Sequence, residues 1–487
     1  MLKSLLRDSA IYTIPSFLAN GISLILAPLY TRMLNPADYG SLDLLNVFGS
    51  IVRLTVALEI SQALARYYLA EKDMEGKIVY TSTALWFSAV CYMLFLLASF
   101  IFSKELSALL FGEQNMEIYF RLGAVYVSLN GMNYFLQSQF RWEFRSKNFI
   151  TSSIIVMFVT PAIAVLLAYG LKWGLTGVLY GQIGGILAGA GYGIWHLRNS
   201  FQFRFDWARL NQMLSFSAPL VPSGIAVFVN NYFDRILLNK YMSLNEVGLY
   251  SIGFKLAGSA GLILVGFRSA LTPLIYAHYH DPKTPNELAK IFRWFVSFAL
   301  MALLGLSLFA TEIFYVLTTP AYYSASQIIV FLVPAVLLSN MYIFFPGVSI
   351  AKKTHLILWI NFVTAVLNVL FCWLLIPPYG VAGAAIATLL GYGCMFFFYL
   401  WSSQKYYFVP HDWKRLGIAV VVVSLLAYWL PRFQLSSIFL AVGFKLIGVV
   451  LGIGVILAAG LLPVSELKQL YNMVGVRVAK VLRKDHA

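Results

Sequence analysis

The feature that most constrains this 487-residue chain is a succession of fourteen predominantly apolar runs, each about as long as a bilayer is thick. Crossing the hydrocarbon core takes about 20 such residues in a helix. The runs occupy 10–31, 41–65, 79–102, 117–138, 149–169, 174–196, 213–238, 246–276, 291–317, 326–350, 355–376, 380–402, 416–430 and 436–463. Their length predicts helices, because a barrel strand needs only about 10 residues of alternating polarity. Composition agrees: 60% of residues are hydrophobic and 11% charged, against about 45–50% and about 25% in soluble domains. The expected fold is an all-α polytopic membrane protein with 14 transmembrane helices.

Basic residues test that reading, since loops rich in Lys and Arg stay on the cytoplasmic side. With the N-terminus inside, 25 of the 35 basic residues fall on inner segments, while only Arg32, Lys104, Lys172, Lys240 and Arg432 fall on outer ones. A wrong helix count would scramble this alternation, so both termini are expected to be cytoplasmic. The net charge of +15 is then a matter of topology. No basic stripe interleaved with aromatics points to nucleic acid. The stretch after Lys3 and Arg7 is too long for a secretion signal and lacks a small-x-small cleavage site, so it is expected to be the first helix.

The chain also repeats itself. Residues 33–42, MLNPADYGSL, close the first run, and residues 241–250, YMSLNEVGLY, close the seventh. At an offset of 208, Arg32 falls on Lys240, Asp38 on Glu246, Gly40 on Gly248 and Ser9-Ala10 on Ser217-Ala218. WGLTG at 173–177 and YGVAG at 379–383 open the sixth and twelfth runs at an offset of 206. Two matches at nearly one offset predict two homologous six-helix bundles. Because six is even, both enter from the same side, related by a pseudo-twofold axis along the membrane normal that places a central cavity between them. The expected division is 1–209, the N-terminal bundle; 210–415, the C-terminal bundle; 416–463, two extra helices; and 464–487, an amphipathic cytoplasmic tail with Leu467, Leu470, Val474, Val478 and Val481 at helical spacing. Gly181, Gly185, Gly189 and Gly193 mark one face of the sixth helix for close packing. Pro15, Pro28, Pro219 and Pro222 open the first helix of each half either to movement or to a static kink.

Charges inside the runs are the candidate chemistry. Arg53 lies near the middle of the second run, where an arginine costs about 2.5–3.5 kcal/mol on insertion scales. Asn46 and Gly49 share its helical face. Glu59, Gln62 and Arg66 form a second polar stripe toward the cytoplasmic end. The eighth run carries Lys255 and Arg268, the seventh Asn230, Asn231, Asp234 and Arg235, and the first Asn20. The first two helices of each half are therefore expected to face one another across the cavity. Structural ion pairs, Glu59 with Arg66 or Arg235 with Asp38 or Glu246, suit Asp234 and Arg235 best. Arg53 and Lys255 have no acidic residue within a turn, and they point to an anion site. Arg121 and Lys445 read as packing or snorkelling residues. Glu59 and Asp234 are the carboxylates through which an ion could be coupled.

Other chemistries find no support. There is no phosphate-binding loop, no H-E-x-x-H and no Cys/His cluster at metal spacing among Cys91, Cys372, Cys394 and the six histidines. The longest inner loops run to about 15 residues, too short for a soluble catalytic domain, so neither an enzyme nor a cofactor is expected. Any energy source is then an ion gradient, the membrane potential or the substrate gradient.

The opening LLRDSAIYTIPSFLANGISLILAPLYTRMLNPADYGSLDLL, with LNEVGLYSIGFKLAG and IPPYGVAGAAIATLLGYG further on, resembles the polysaccharide-transporter family, which includes O-antigen and exopolysaccharide flippases. Its superfamily also holds lipid II flippases and multidrug and toxic-compound extrusion transporters, built as two six-helix bundles around a central cavity. The resemblance implies a flippase of the bacterial cytoplasmic (inner) membrane for oligosaccharide linked to undecaprenyl diphosphate, with lipopolysaccharide or other polysaccharide biosynthesis downstream and polymerase or chain-length machinery as partners. It carries the cationic role onto Arg53, Lys255, Arg66 and Arg268, with Asn20, Asn46, Asn230 and Asn231 as further polar contacts. A lipid II flippase and a multidrug cation extruder stand as alternatives. Excess buried Arg and Lys argues against the extruder.

Overall fold

The computed structural model describes residues 26–262, 275–433 and 438–463, together with Gly21, Leu264, Phe267 and Leu271. All regular structure among the described residues is helical. The helices are α1 (Ala27–Met33), α2 (Pro36–Thr55), α3 (Ile60–Ala70), α4 (Met74–Ile101), α5 (Ser103–Phe111), α6 (Glu117–Trp142), α7 (Ser146–Ala164), α8 (Gly174–Leu197) and α9 (Trp207–Ser217). There follow α10 (Val221–Tyr241), α11 (Leu244–Ala257), α12 (Thr284–Leu308), α13 (Ala310–Leu317), α14 (Ile329–Ser339), α15 (Gly347–Ile350), α16 (Thr354–Gln404), α17 (Trp413–Trp429) and α18 (Ile438–Ala458). Eight of the described helical stretches are long and apolar enough to cross a membrane, nine if the bent pair α2 and α3 is one span. Large apolar side chains such as Ile101, Trp195, Trp373 and Ile447 face outward, where only lipid makes them inexpensive. The chain is a multi-pass membrane protein.

Several expected rods are broken, each for a local reason. Between α2 and α3 the path bends by 45°, with Leu58 and Glu59 at φ 48° and 53°. That left-handed conformation costs about 1–2 kcal/mol per residue for a side chain with a Cβ. A single tight turn at Ala218–Leu220 separates α9 from α10, where Pro219 and Pro222 supply no N–H donors. The tenth run leaves the α-helix at Asn340, makes a 3-10 turn at Met341–Phe344 and resumes the α-helix at Gly347. In α16 the chain reverses at Gly380, φ 54°, and Gly174 takes φ 52° at the matching point before α8. The earlier part of the first run, with Pro15, and the tail 464–487 lie outside the described residues.

Two close approaches fix the core of the fold. The glycine face of α8 lies on α7, where a Cβ added to Gly181 would stand 2.7 Å from Ala164 N. At the other approach α2 crosses α11 through glycine on both sides. A Cβ on Gly40 would meet the Leu244 carbonyl oxygen at 2.1 Å, and one on Gly248 would meet the Pro36 carbonyl oxygen at 1.8 Å. These contacts are reciprocal, since Pro36 and Leu244 stand four residues before Gly40 and Gly248 respectively. Near the same end Tyr322 Oη donates to Leu34 O at 3.0 Å and Asn239 Nδ2 to Leu110 O at 3.0 Å.

Candidate functional site

Beyond the glycine crossing, α2, α6, α7, α10 and α11 enclose a cavity of about 770 Å³, within the roughly 300–1,000 Å³ usual for ligand pockets. Three charged side chains reach its wall: Asp43, Arg235 and Lys255. Arg235 is buried, with Nε 2.8 Å from Asp43 Oδ2 and Nη1 3.1 Å from Asp234 Oδ1. Asp43 also accepts a hydrogen bond from Ser251 Oγ at 2.6 Å. Position 251 is the equivalent of position 43 at the repeat offset, so the pair spans the crossing of α2 and α11. Asp234 is committed: besides Arg235 it accepts from Tyr250 Oη and, at 3.1 Å, from Thr388 Oγ1.

Lys255 differs. Its Nζ stands 3.4 Å from Tyr39 Oη and 5.6 and 5.9 Å from the ring centres of Tyr30 and Tyr39. Among the described residues no carboxylate lies within ion-pair distance of it. Aromatic faces lend partial compensation to a cation while leaving its charge available. Asn46 faces the same cavity, its Oδ1 accepting from Tyr126 Oη at 3.3 Å. Gln137 and Gln182 add neutral polar wall.

The expected site residues are thus divided. Lys255 and Asn46 share this cavity, whereas Asn230 and Asn231 line a second one, about a turn away along α10. Arg53 lines neither; its guanidinium sits 5.2 Å from the Tyr134 ring centre, and Arg141 approaches the same ring at 5.9 Å. Arg66 is exposed, 4.5 Å from the Phe216 ring. Glu59 sits in the left-handed bend, which interrupts the helical register to Arg66, and the expected Glu59–Arg66 pair is not formed. Arg235 pairs with Asp43 and Asp234 in place of Asp38 or Glu246, because α10 presents it to α2 at mid-length rather than at the mouth. Lys445 does more than snorkel: it meets Glu312 at 2.5 Å. Asn20 and Arg268 lie outside the described residues. Asp43 was passed over in the sequence, although a carboxylate inside an apolar run is itself a signal.

The geometry defines a multi-pass helical membrane protein with a charged interior cavity, and the comparisons narrow that class. Residues 29–327 match the family described as polysaccharide biosynthesis protein, to which the chain belongs. A relative in Haemophilus influenzae, Lsg locus putative protein 1, is 22% identical over 286 residues, covering 55% of this chain and 65% of its own length. The fold is shared with the lipid II flippase MurJ in an inward closed conformation, at TM-score 0.69, 15% identity and coverage of 93% of this chain and 98% of that one. It is shared too with an inward-facing multidrug resistance MATE family transporter of the MOP superfamily, at TM-score 0.64, 16% identity and coverage of 79% and 94%.

Proposed function

We propose that this protein flips a diphosphate-linked oligosaccharide lipid, of the undecaprenyl type, from the cytoplasmic to the outer leaflet of a bacterial inner membrane. The observation that carries the reading is Lys255, a cation on the wall of a membrane-embedded cavity with no carboxylate at ion-pair distance among the described residues. An unpaired interior charge is costly, and an anionic head group offsets that cost when it arrives. Arg53, outside the cavity and 5.2 Å from the Tyr134 ring centre, offers a further cation along the expected path. The family match supports a role in polysaccharide biosynthesis.

The mechanism is alternating access between two six-helix halves. The reciprocal contact of Gly40 and Gly248 supports the twofold relation, and it closes the end carrying the 33–36 and 242–244 loops, taken as the outer face. The head group enters from the opposite, cytoplasmic face while the polyprenyl chain stays in lipid. With the cell interior negative, an anion moving outward gains about 2.3 kcal/mol per charge per 100 mV, and fixed cavity cations do not cancel that gain.

The test is the sidedness of lipid-linked oligosaccharide in cells depleted of the protein, read by a periplasmic ligase or trimming enzyme, with lipid II assayed in parallel. The expected result is accumulation on the cytoplasmic face, relieved by wild type but not by Lys255→Ala or Arg53→Ala at equal abundance. Normal arrival of the lipid-linked sugar at the outer face in depleted cells lacking another flippase refutes the proposal. Accumulation of lipid II alone transfers the reading to the peptidoglycan precursor.

A further inference from the structure

The second cavity, of about 440 Å³, has no charged residue in its lining. Its polar wall is made of amides and phenols, chiefly Asn231, Asn340, Asn361, Tyr342, Tyr392 and Tyr399. We infer that this cavity seats the neutral sugar joined to the diphosphate, while the Lys255 cavity holds the diphosphate itself. The inference rests on the flippase reading above.

Three observations carry it. First, the α-helix is interrupted between Ser339 and Gly347, where only a 3-10 turn forms at Met341–Phe344, and Asn340, Tyr342 and Phe345 of that segment border the cavity. This break falls within the apolar run 326–350; interrupted helices in such runs are tolerated where the backbone is buried in protein or lines an aqueous cavity, and they mark substrate sites in transporters. Second, Asn361 is 9% exposed, and its Oδ1 is buried without a hydrogen-bond partner. A buried acceptor left unpaired is costly, and a turn of the Asn361 side chain toward the cavity that it lines would let a ligand hydroxyl satisfy it. Third, the cavity offers the groups that hydroxyl-rich rings use. Amides present donor and acceptor side by side, and the rings of Tyr342 and Tyr399 stand 5.6 Å apart as apolar faces. A polyprenyl tail would leave these polar groups unsatisfied, and an anion would find no cation.

The two cavities adjoin through one turn of α10. Asn231 lines the second and Arg235 the first, and Arg235 Nη1 donates to Asn231 O at 2.9 Å. Tyr392 Oη donates to Asn231 Oδ1 at 2.8 Å on the sugar side. One helical turn is about 5.4 Å, the scale on which a sugar follows the phosphate it is bonded to. Asn230, in contrast, is spent on the fold: its Nδ2 donates to Asn361 O at 3.0 Å.

The full chain in nanodiscs is titrated with undecaprenyl diphosphate, bare and carrying glucose, galactose, N-acetylglucosamine or N-acetylgalactosamine. Wild type is expected to bind at least one glycosylated form about tenfold tighter than the bare lipid, the worth of one or two well-made hydrogen bonds. Asn361→Leu, which removes the acceptor, and Ser349→Phe, which fills the cavity mouth, should each erase that gain and leave bare-lipid affinity unchanged; should one variant misfold, the other decides. Lys255→Ala should weaken both forms alike. Equal wild-type affinity for bare lipid and all four glycosylated forms, or a gain that survives in a folded variant, overturns the sugar site while leaving the diphosphate site standing. Failure of wild type to bind any of the lipids refutes the flippase reading itself.

Discussion

Replacing Gly248 by alanine puts a methyl group 1.8 Å from the Pro36 carbonyl oxygen, 2.7 Å from its carbon and 3.1 Å from Gly40 N. All three atoms are backbone, so no side chain can rotate away. Ordinary contact begins near 3.4 Å, and α2 and α11 must therefore part by roughly 1.5 Å, an overpacking worth about 1–3 kcal/mol. Under alternating access the crossing is made only in the state closed at this end. The cost falls on that state alone and shifts the balance about 5- to 150-fold toward opening there. Spin labels at the exposed positions Leu109 and Val316 read the separation by pulsed dipolar spectroscopy. The expected result is a longer distance in Gly248→Ala and in Gly40→Ala, whose methyl would lie 2.1 Å from Leu244 O, with slowed flipping in both. Gly191→Ala, which meets nothing within 4 Å, is the control and should leave the distance unchanged. Wild-type distances and transport in both gate variants would refute the reasoning.

Three further outcomes follow from the same geometry. Lys255→Ala should weaken binding of undecaprenyl diphosphate by about 10- to 150-fold, the worth of a charged hydrogen bond, with Lys255→Arg restoring most of it; equal affinity in all three proteins removes the anion site. Asp43→Asn takes one of two carboxylates from the buried Arg235 guanidinium and should lower stability by about 1–3 kcal/mol in thermal or denaturant unfolding, whereas unchanged stability would mean Asp234 suffices. His411, in the loop after α16, lies 4.6 Å from Phe292 and 4.9 Å from Trp413 between ring centres, and burial pushes its imidazole down from 6.5 to about 4. The folded state therefore resists protonation, so this residue's contribution is complete above pH 6.5 and is lost as pH falls toward 4; His411→Phe should flatten melting temperature across that window, and an unaltered slope would refute the assignment.

The helical, multi-pass character was legible in the sequence because most apolar runs approach the length a bilayer crossing needs, whereas the described residues hold eight or nine such spans against the fourteen expected. The echoes were legible for the same kind of reason: Gly174 and Gly380 hold positive φ at matching turns, where glycine is favoured, and Gly40 and Gly248 hold a backbone crossing that leaves no room for a Cβ. The bend at Leu58 and Glu59 was not legible, since neither residue is a helix breaker and tertiary contacts impose the left-handed backbone. Nor was the partner of Arg235. Helical spacing relates residues on one helix, whereas the ion pair to Asp43 depends on how α10 and α2 cross. Asn361 escaped notice because its run, 355–376, holds no Asp, Glu, Lys or Arg to draw attention to it, and only its surroundings show the acceptor unpaired.

At the repeat offset of 208, the residues that match and those that differ do different work. Gly40 and Gly248 match and hold the crossing, whereas Arg235 falls on Ala27, Lys255 on Val47, Asn46 on Phe254 and Arg53 on Gly261. Every candidate cation in the described interior thus has a small or apolar counterpart. A cavity on a twofold axis would otherwise receive each charge twice, and two adjacent like charges raise the cost of the empty state. Divergence at this offset leaves Lys255 without a carboxylate partner among the described residues and pairs Arg235 with Asp43, whose own counterpart, Ser251, hydrogen-bonds it. The same asymmetry gives one turn of α10 a charged wall and the preceding turn a neutral one. A substrate with an anionic end and an uncharged end can then be held in one orientation, which a symmetric cavity could not enforce.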